Sequence, residues 1–396
     1  HRRLFLWEEI GDIFAGCEMP RFLLRVAALS AAGAWALAPT TTNNNARAKA
    51  RRAREDFADD DLFVASQLGS ENYANLAMQV GMLLDDPRML AYREAIFNEP
   101  LIVNGGTVLD VGAGSGILSM WCAQAGASKV YAVERSGMAE QARQLVEANG
   151  LSHIVEVRRC STEDLLLERH SVDVIVSEWM GTLLLGESML PSVLSCRDGF
   201  LKKDTGRMLP RRAKVYLAPA NLTKKRDAKL LEYFERLGDW RVLERTLRKQ
   251  GLDFGVLRSS FDRETLARKW RSAAQTLVSE RSLLSKPALI ADLDLETVSV
   301  EAARSGLPLA PFDFPGVSPA QVSAFVAWFD VEFGPDDDQV TLSTGPAAPA
   351  THWGQIVLYV ADLATSSTTK GTFAMTLKQP PGTWFDVAVE LEEPDG

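Results

Sequence analysis

Residues 107–118 read TVLDVGAGSGIL, and this stretch decides the fold. It combines a short β-branched strand, a turn with glycines at Gly112, Gly114 and Gly116, and the start of a helix. Glycine lets the backbone adopt a positive φ and approach a ligand closely, and the helix N-terminus that follows attracts polar groups. The stretch therefore predicts a strand–turn–helix unit that binds a ligand at its turn.

The spacing of these glycines bears on which ligand is bound. The dinucleotide-binding fingerprint would place its third glycine where Ile117 stands. Glycines at alternate positions are more typical of an S-adenosylmethionine site than of a nicotinamide site. For the glycines alone, an ordinary strand–helix turn remains an equal alternative.

Two further predicted strands each lead to an acidic residue. Residues 129–133, KVYAV, end in Glu134, about 20 residues after the glycines, where a carboxylate can bond ribose hydroxyls. Residues 154–158, IVEVR, lead to Glu163, which could accept a bond from an adenine amino group. Either acid alone could be a surface charge. Together with the glycine turn, in alternating strand and helix order, they predict an open parallel α/β sheet.

A fourth predicted strand is followed by two glutamates. The apolar run at 172–176, VDVIV, reads as a buried parallel strand, and residues 177–189 after it read SEWMGTLLLGESM. Open α/β sheets bind ligands at the carboxyl ends of their strands, which places Glu178 and Glu187 in a ligand-binding loop. Two close carboxylates repel one another unless a cation lies between them. We infer that this cation is a guanidinium, the alternative being two exposed loop charges.

From about residue 72 to its end, the chain resembles the protein arginine methyltransferases that form asymmetric dimethylarginine. Four motifs carry the resemblance, in family order: MLLDDPRMLAYR at 82–93, the glycine turn with Glu134, the double-glutamate loop, and THW at 351–353. The resemblance implies S-adenosyl-L-methionine as cofactor and arginine side chains of proteins as methyl acceptors. It also implies a Rossmann-like domain followed by a β-barrel domain that carries a helical dimerisation arm.

The resemblance assigns roles to individual residues. Glu178 and Glu187 would bind the substrate guanidinium, and His352 would pair with Asp85. These four residues form the expected catalytic set. The substrate pocket would include Tyr73, Met82 and Trp353. The expected cofactor-binding residues are Gln79, Arg88, Asp110, Gly112, Gly114, Gly116, Glu134, Glu163 and Met189. Within that set, Arg88 would pair with the cofactor carboxylate, and no metal is expected.

Two departures from the family pattern concern the segment before the glycine turn. Gly69 and Ser70 replace a tyrosine and a phenylalanine of the family's aromatic motif, and Gln79 stands where many members carry a histidine. They leave two alternatives open. One is a cofactor-binding scaffold protein with weak or lost catalysis. The other is a methyltransferase with a non-arginine acceptor, which the double-glutamate loop argues against.

Composition agrees with a soluble two-domain enzyme. The chain has 396 residues, 46% hydrophobic and 24% charged, with a net charge of -9. That charge suits a basic protein substrate, such as a Gly/Arg-rich segment or a histone tail, better than nucleic acid. Its four cysteines, Cys17, Cys122, Cys160 and Cys196, show no CxxC spacing, which argues against structural zinc and favours a reducing compartment.

We predict three regions. Residues 1–60 form a targeting-like and disordered segment, in which 19–38 resembles a signal or transit peptide too short to span a bilayer. Residues 61–210 form the cofactor-binding domain. Residues 211–396 form the β-barrel domain, with a helical arm at about 223–285. We expect a homodimer in the cytoplasm or nucleus without membrane association, or in an organelle if 19–38 directs it there.

Overall fold

The computed structural model describes residues 24–28, 74–186, 189–266, 273–334, 340–360, 369–377 and 385–392. The helices are α1 Leu76–Leu83, α2 Asp86–Asn98, α3 Pro100–Val103, α4 Ile117–Ala125, α5 Met138–Ala148, α6 Leu190–Phe200, α7 Thr223–Arg248, α8 Arg258–Thr265 and α9 Val300–Ser305. The strands are β1 Leu24–Ala28, β2 Thr107–Val111, β3 Lys129–Val133, β4 Val155–Arg158, β5 Val174–Val176, β6 Arg207–Leu209, β7 Arg212–Ala220, β8 Ala274–Thr276, β9 Ala288–Asp294, β10 Gly306–Phe312, β11 Ala324–Phe333, β12 Val340–Ser343, β13 Gln355–Tyr359, β14 Gly371–Leu377 and β15 Phe385–Leu391.

Several sequence predictions fall outside the described residues. They are Glu187, Tyr73, Gly69 and Ser70, together with all of the N-terminal segment 1–60 except residues 24–28. Residues 24–28 form β1, which pairs antiparallel with β15.

The first half of the chain folds around a parallel sheet, as the sequence predicts. Its strand order is β4-β3-β2-β5-β6, and every adjacent pair is parallel. The central strands are continuous apolar runs because helices cover both faces of such a sheet. All three residues of β5 are fully buried, as are Val108 and Leu109 of β2. The carboxyl ends of β2, β3 and β5 consequently meet at one edge.

In the described range that begins at residue 74, three helices precede the sheet. The Asn75 side chain accepts a hydrogen bond from Ala77 N (2.8 Å) and so caps the start of α1. Asp85 lies between α1 and α2, and Pro87 occupies the first turn of α2, where its missing N–H costs nothing. This arrangement sets the corner at which α2 turns toward the sheet edge.

The second half forms the predicted β-barrel domain from antiparallel strands. One sheet has the order β8-β13-β11-β7-β9 with β12 on β11, and the other has the order β1-β15-β14-β10. Contacts between β9 and β10 join the two sheets. Only two residues separate β6, the last strand of the parallel sheet, from β7, the first strand of the second half.

The arm leaves the barrel between β7 and β8. It consists of the 26-residue α7, a 3₁₀ turn at Gly255–Leu257, and α8. Trp240 of α7 stacks on Phe261 of α8, with ring centroids 4.6 Å apart. The predicted helical range of 223–285 is too long, because Ala274–Thr276 forms β8, which pairs with β13 inside the barrel sheet.

A single apolar cluster joins both halves. It contains Ile175 of β5 as well as Phe329 of β11. At the junction, the Tyr92 ring of α2 contacts Phe333 of β11 edge-on, with centroids 4.8 Å apart. Within the described parts of the chain, none of the helices combines the length and apolar character needed to cross a membrane.

Candidate active site

The glycine turn lies at the carboxyl end of β2. Gly112, Gly114 and Gly116 have φ values of 75°, 53° and 79°, all in the left-handed region that favours glycine. A Cβ atom on Gly112 would lie 2.2 Å from Met189 Cε, and one on Gly114 would lie 3.0 Å from Gln79 Oε1. Met189 and Gln79, two predicted cofactor-binding residues, therefore lie directly against the turn.

Glu134 lies where β3 ends and its carboxylate faces the same turn. Its Oε2 accepts a hydrogen bond from Gly114 N (2.9 Å), and its Oε1 accepts one from Ser136 N (2.7 Å). The side chain is buried. A carboxylate offers about four acceptor sites, so these two bonds fix its position and leave acceptors for hydroxyl groups.

Asp110 lies on β2 beneath the turn and is completely buried. Its Oδ2 accepts a bond from Ser119 Oγ (2.6 Å), while its Oδ1 has no partner among the described residues. Burial raises the pKa of Asp110 to about 7, although the hydrogen bond from Ser119 opposes the shift and the nearby Glu134 adds to it. Asp110 thus titrates near neutral pH.

Glu163 follows β4, and its side chain is exposed. Its pKa is lowered, first by a hydrogen bond from its own backbone and then by bonds from Ser161 and Thr162, against a smaller effect of burial. Arg135, adjacent to Glu134, also lowers it. Glu163 therefore carries a negative charge at neutral pH.

Glu178 forms an ion pair with Arg88. Arg88 Nη1 donates to Glu178 Oε2 at 2.6 Å, and the two side chains are only 8% and 16% exposed. Arg88 Nη2 donates to the carbonyl oxygen of Met82 (2.8 Å), and Met180 N donates to Glu178 Oε1 (3.2 Å). Both carboxylate oxygens of Glu178 are thereby oriented. Removing one partner of such a pair typically costs about 3–5 kcal/mol, since it leaves the other charge uncompensated.

Backbone contacts fix the loop that carries Glu178. Ser177 Oγ donates to Val111 O (2.7 Å), and Tyr92 Oη donates to Ser177 O (2.9 Å). The loop then turns tightly, with mutual bonds between the backbones of Gly181 and Leu184. Leu184 has a φ of 70°, a conformation that costs about 1–3 kcal/mol for a non-glycine residue. Its side chain is fully buried, and this burial offsets the strain.

The THW segment of the barrel reaches across to this loop and to the α1–α2 corner. His352 donates from its backbone N (2.9 Å) to Asp85 Oδ2, and its Nδ1 lies 2.5 Å from the same oxygen. Trp353 Nε1 donates to Met180 O at 3.0 Å. Burial would raise the pKa of Asp85, but the hydrogen bonds from His352 outweigh it and hold that pKa below its usual range.

The predicted site residues thus fall into two adjoining groups. The first group lies at the glycine turn and consists of Gln79, Asp110, Gly112, Gly114, Gly116, Glu134 and Met189. The second is a connected network of Met82, Asp85, Arg88, Glu178, His352 and Trp353. Among the described residues, Glu163 makes no hydrogen bond to either group, and Tyr73 and Glu187 lie outside the part of the chain that the structure describes. Sequence reasoning missed Tyr92, Ser177 and Gln275, all of which support this network. Tyr92 and Ser177 stand inside quoted motifs, but only their contacts reveal what they do.

The residues around the turn fit S-adenosyl-L-methionine, the cofactor that the family resemblance implies. Gly112 and Gly114 carry no side chains, Met189 and Gln79 lie against them, and Glu134 offers acceptors for ribose hydroxyls. Arg88 Nε is buried and has no partner among the described residues, so a donor for a carboxylate group remains. A polar donor buried in this way is costly unless a bond is made to it.

Comparison with known proteins identifies similar families and sequences. A family model described as the arginine methyltransferase oligomerization subdomain matches residues 212–390, and one described as a methyltransferase domain matches residues 108–203. Protein arginine N-methyltransferase PRMT10 of Arabidopsis thaliana is 40% identical over 302 residues, which cover 73% of this chain and 76% of that protein. Protein arginine N-methyltransferase 6 of Danio rerio is 38% identical over 292 residues, covering 74% and 78%.

Solved structures show the same similarity. The Arabidopsis thaliana protein arginine methyltransferase 10 structure superposes with a TM-score of 0.75 at 35% identity, covering 80% of this chain and 93% of that one. A chain of the Trypanosoma brucei PRMT1 enzyme–prozyme heterotetrameric complex with AdoHcy superposes with a TM-score of 0.65 at 30% identity, covering 81% and 95%.

Proposed function

This chain belongs to the protein arginine N-methyltransferase family, and we propose that Glu178 and Glu187 together bind the guanidinium of its substrate arginine. It is an enzyme that transfers methyl groups from S-adenosyl-L-methionine to arginine side chains of proteins. The observation that carries the proposal is the Glu178 carboxylate, only 16% exposed, oriented on both oxygens and already bonded to one guanidinium, that of Arg88.

A guanidinium group needs such an acceptor in order to react. Its pKa lies above 12, so it stays charged and its nitrogens are poor nucleophiles. Each oxygen of Glu178 has one acceptor site beyond the bonds from Arg88 and Met180. At these positions the carboxylate can accept N–H bonds from one end of the substrate guanidinium. The positive charge of the guanidinium is then drawn toward that end. The far nitrogen then keeps more electron density for attack on a methyl group.

Residues of the glycine turn would hold the cofactor beside the Glu178–Glu187 pair, which we call the clamp. Gly112 and Gly114 permit close backbone approach, Glu134 would bond the ribose, and Glu163 would reach the adenine. Arg88 would bond the cofactor carboxylate while it still orients Glu178. When bound there, S-adenosyl-L-methionine supplies an activated methyl group. Holding the two reactants in line at roughly 3–3.5 Å removes several kcal/mol from the barrier.

The methylated product must lose a proton. The candidate acceptors are Glu178 and the His352–Asp85 pair. Asp85 bonds Nδ1 of His352, which leaves Nε2 to exchange protons. The His352 side chain is 23% exposed, so a proton taken up there can pass to water.

The product we propose is asymmetric dimethylarginine in addition to monomethylarginine. Met82 matches the residue found in family members that place both methyl groups on one nitrogen, where a bulkier side chain accompanies symmetric products. Met82 lies near Glu178: its carbonyl oxygen accepts a bond from Arg88, which also pairs with Glu178. Fragmentation spectra that separate the two isomers test this assignment.

The proposed assembly is a homodimer formed through the arm. The C-terminal half matches an oligomerization subdomain, and α7 exposes the apolar side chains Leu231, Val242 and Leu243. Among the described residues of α7, only Leu237 is buried. A second subunit that covered this surface would remove it from water.

We further propose that the substrates are basic protein segments, either Gly/Arg-rich sequences or histone tails, encountered in the cytoplasm or nucleus. The net charge of -9 favours association with such segments. Neither a membrane nor a nucleic acid is required by this proposal.

The direct test is incubation of the full chain with S-adenosyl-L-methionine and a Gly/Arg-rich peptide, followed by mass spectrometry. We expect stepwise mass increases of one methyl group for one hydrogen, located on arginine by fragmentation. A peptide with every arginine replaced by lysine is the control and should remain unmodified. Cofactor binding without any methylation of arginine would instead indicate a scaffold, and methylation of the lysine peptide would indicate another acceptor.

A further inference from the structure

We propose that Gln275 is a positioning residue for the methyl-transfer site. This inference rests on the function proposed above. Gln275 lies on β8, outside all four sequence motifs, and its side chain is half-buried. It acts through the THW segment and not by contact with a substrate.

Gln275 is bonded to two consecutive carbonyl oxygens of that segment. Its Nε2 donates to Trp353 O at 2.8 Å and to His352 O at 3.3 Å. A side-chain amide carries two N–H donors, so one group can hold both carbonyls at once. The segment then turns at Gly354, whose φ is 52°, before β13 begins.

The two residues held by Gln275 make the barrel's polar contacts with the catalytic network. His352 bonds Asp85 twice, and the Trp353 indole donates to Met180 O. Met180 N in turn donates to Glu178 Oε1. A connected series of bonds therefore runs from Gln275 through Trp353 and Met180 to the carboxylate of Glu178. A displacement of the THW segment would therefore shift both Asp85, through His352, and Glu178, through Trp353 and Met180.

The chemistry of the side chain supports a polar role over simple packing. Gln275 Oε1 is buried and has no hydrogen-bond partner among the described residues. Burying an amide oxygen without a partner destabilises the folded protein, so an apolar residue would fill this space at lower cost. The bonds that Nε2 makes to the two carbonyl oxygens offset the cost of burying Oε1.

β8 itself is held by other contacts. Thr276 pairs with Gln355 in the sheet, and Lys225 of α7 donates to Thr276 Oγ1 and to Leu277 O, both at 3.3 Å. Replacement of the Gln275 side chain should therefore leave the strand and the arm in place. An effect on catalysis can then be separated from an effect on folding.

The test compares Gln275→Met and Gln275→Glu with the unmodified chain, by steady-state methylation of an arginine peptide. Both variants keep the length of the side chain but lack its N–H donors. We expect kcat to fall between about tenfold and a hundredfold, because small misplacements of reacting groups cost that much. We expect the KM for peptide and the Kd for S-adenosylhomocysteine to stay close to those of the unmodified chain in both variants. The melting temperature should stay close in Gln275→Met, whereas in Gln275→Glu it should fall because the carboxylate faces two carbonyl oxygens. Thr276→Ala, on the same strand, should keep its kcat.

A double-mutant cycle with Trp353→Phe, which removes the indole N–H, identifies the route. If Gln275 acts through Trp353 and Met180, the two losses in kcat will be markedly less than additive. The proposal is overturned if both Gln275 variants retain kcat, if their losses add fully to that of Trp353→Phe, or if cofactor affinity and melting temperature fall in parallel. Lack of arginine methylation by the unmodified chain would refute the proposed function itself, which separates the two failures.

Discussion

At the scale of single residues, Arg88 and Glu178 explain how this site handles charge. Their largely buried ion pair holds the Arg88 guanidinium against the loop after β5 at the distance of a short charge-assisted bond. The same pair ties the α1–α2 corner to the end of the sheet. Arg88 thus orients Glu178, and its buried Nε has no hydrogen-bond partner in the part of the chain that the structure describes.

Asp110 gives a prediction about pH. Its folded-state pKa of about 7 lies above the usual value of about 3.9, so the folded protein keeps a proton that the unfolded chain has lost. Stability contributed by this group therefore falls as pH rises from about 4 to 7. Asp110→Asn removes this dependence. When the pH is raised from 5 to 8, the free energy of unfolding of the Asp110→Asn variant should increase by about 2–3 kcal/mol relative to that of the unmodified chain.

Urea unfolding at the two pH values measures this difference. Asp173→Asn is the matched control. Burial would raise the pKa of Asp173, but the bonds from Lys202 and Thr107 outweigh it and hold that pKa below its usual range. Asp173 is ionised in both folded and unfolded chains at these pH values, so its variant should show the same difference at pH 5 and pH 8. An equally constant difference for Asp110→Asn would contradict the assignment.

Part of the site could be predicted from the sequence because its residues stand in short motifs. Arg88, Glu134 and Glu178 each lie next to a strand end or helix start that the sequence indicates. Gln275 could not be predicted, since it lies 77 and 78 residues from the carbonyls that it bonds. No local pattern marks a glutamine whose partners are brought near only by strand pairing.

At the scale of elements, periodicity predicted the strands that are apolar and uninterrupted. β3 spans Lys129–Val133, as predicted, and the apolar run at 172–176 contains β5. Periodicity does not indicate β10, because it contains Pro308 and Pro311 and proline argues against a strand assignment. Nor does it indicate β8, because the three residues Ala-Gln-Thr are too few to show periodicity.

The arm gives a prediction at this scale. Leu231 and Val242 of α7 are 52% and 56% exposed and lie eleven residues, about three turns, apart on one face. Replacing both with aspartate would place charges in the proposed dimer contact, so we expect sedimentation to show monomers at concentrations where the unmodified chain is dimeric. Leu309→Asp, at an exposed position of β10, should leave the dimer intact. A dimer that persists in the double variant would exclude this face.

At the scale of the whole molecule, the proposed active site is built from residues of both halves. The parallel sheet supplies the glycine turn and the Glu178 loop, and the barrel supplies His352 and Trp353. The shared apolar core and the Tyr92–Phe333 contact fix one half against the other. The order of motifs in the sequence predicts both halves. It does not predict their packing, because that depends on side chains far apart in the chain.

The most direct test of this account is the kinetics of Glu178→Gln, an isosteric change that removes the charge of the clamp. We predict that kcat for an arginine peptide falls by about a hundredfold to a thousandfold, the range seen when one preorganised electrostatic group is lost. The Kd for S-adenosylhomocysteine, measured by calorimetry, should stay within a few fold. Glu187→Gln should behave alike, and Glu94→Gln, at an exposed position on α2, should keep full activity. Unchanged kcat in Glu178→Gln, or loss of cofactor binding, would contradict the account.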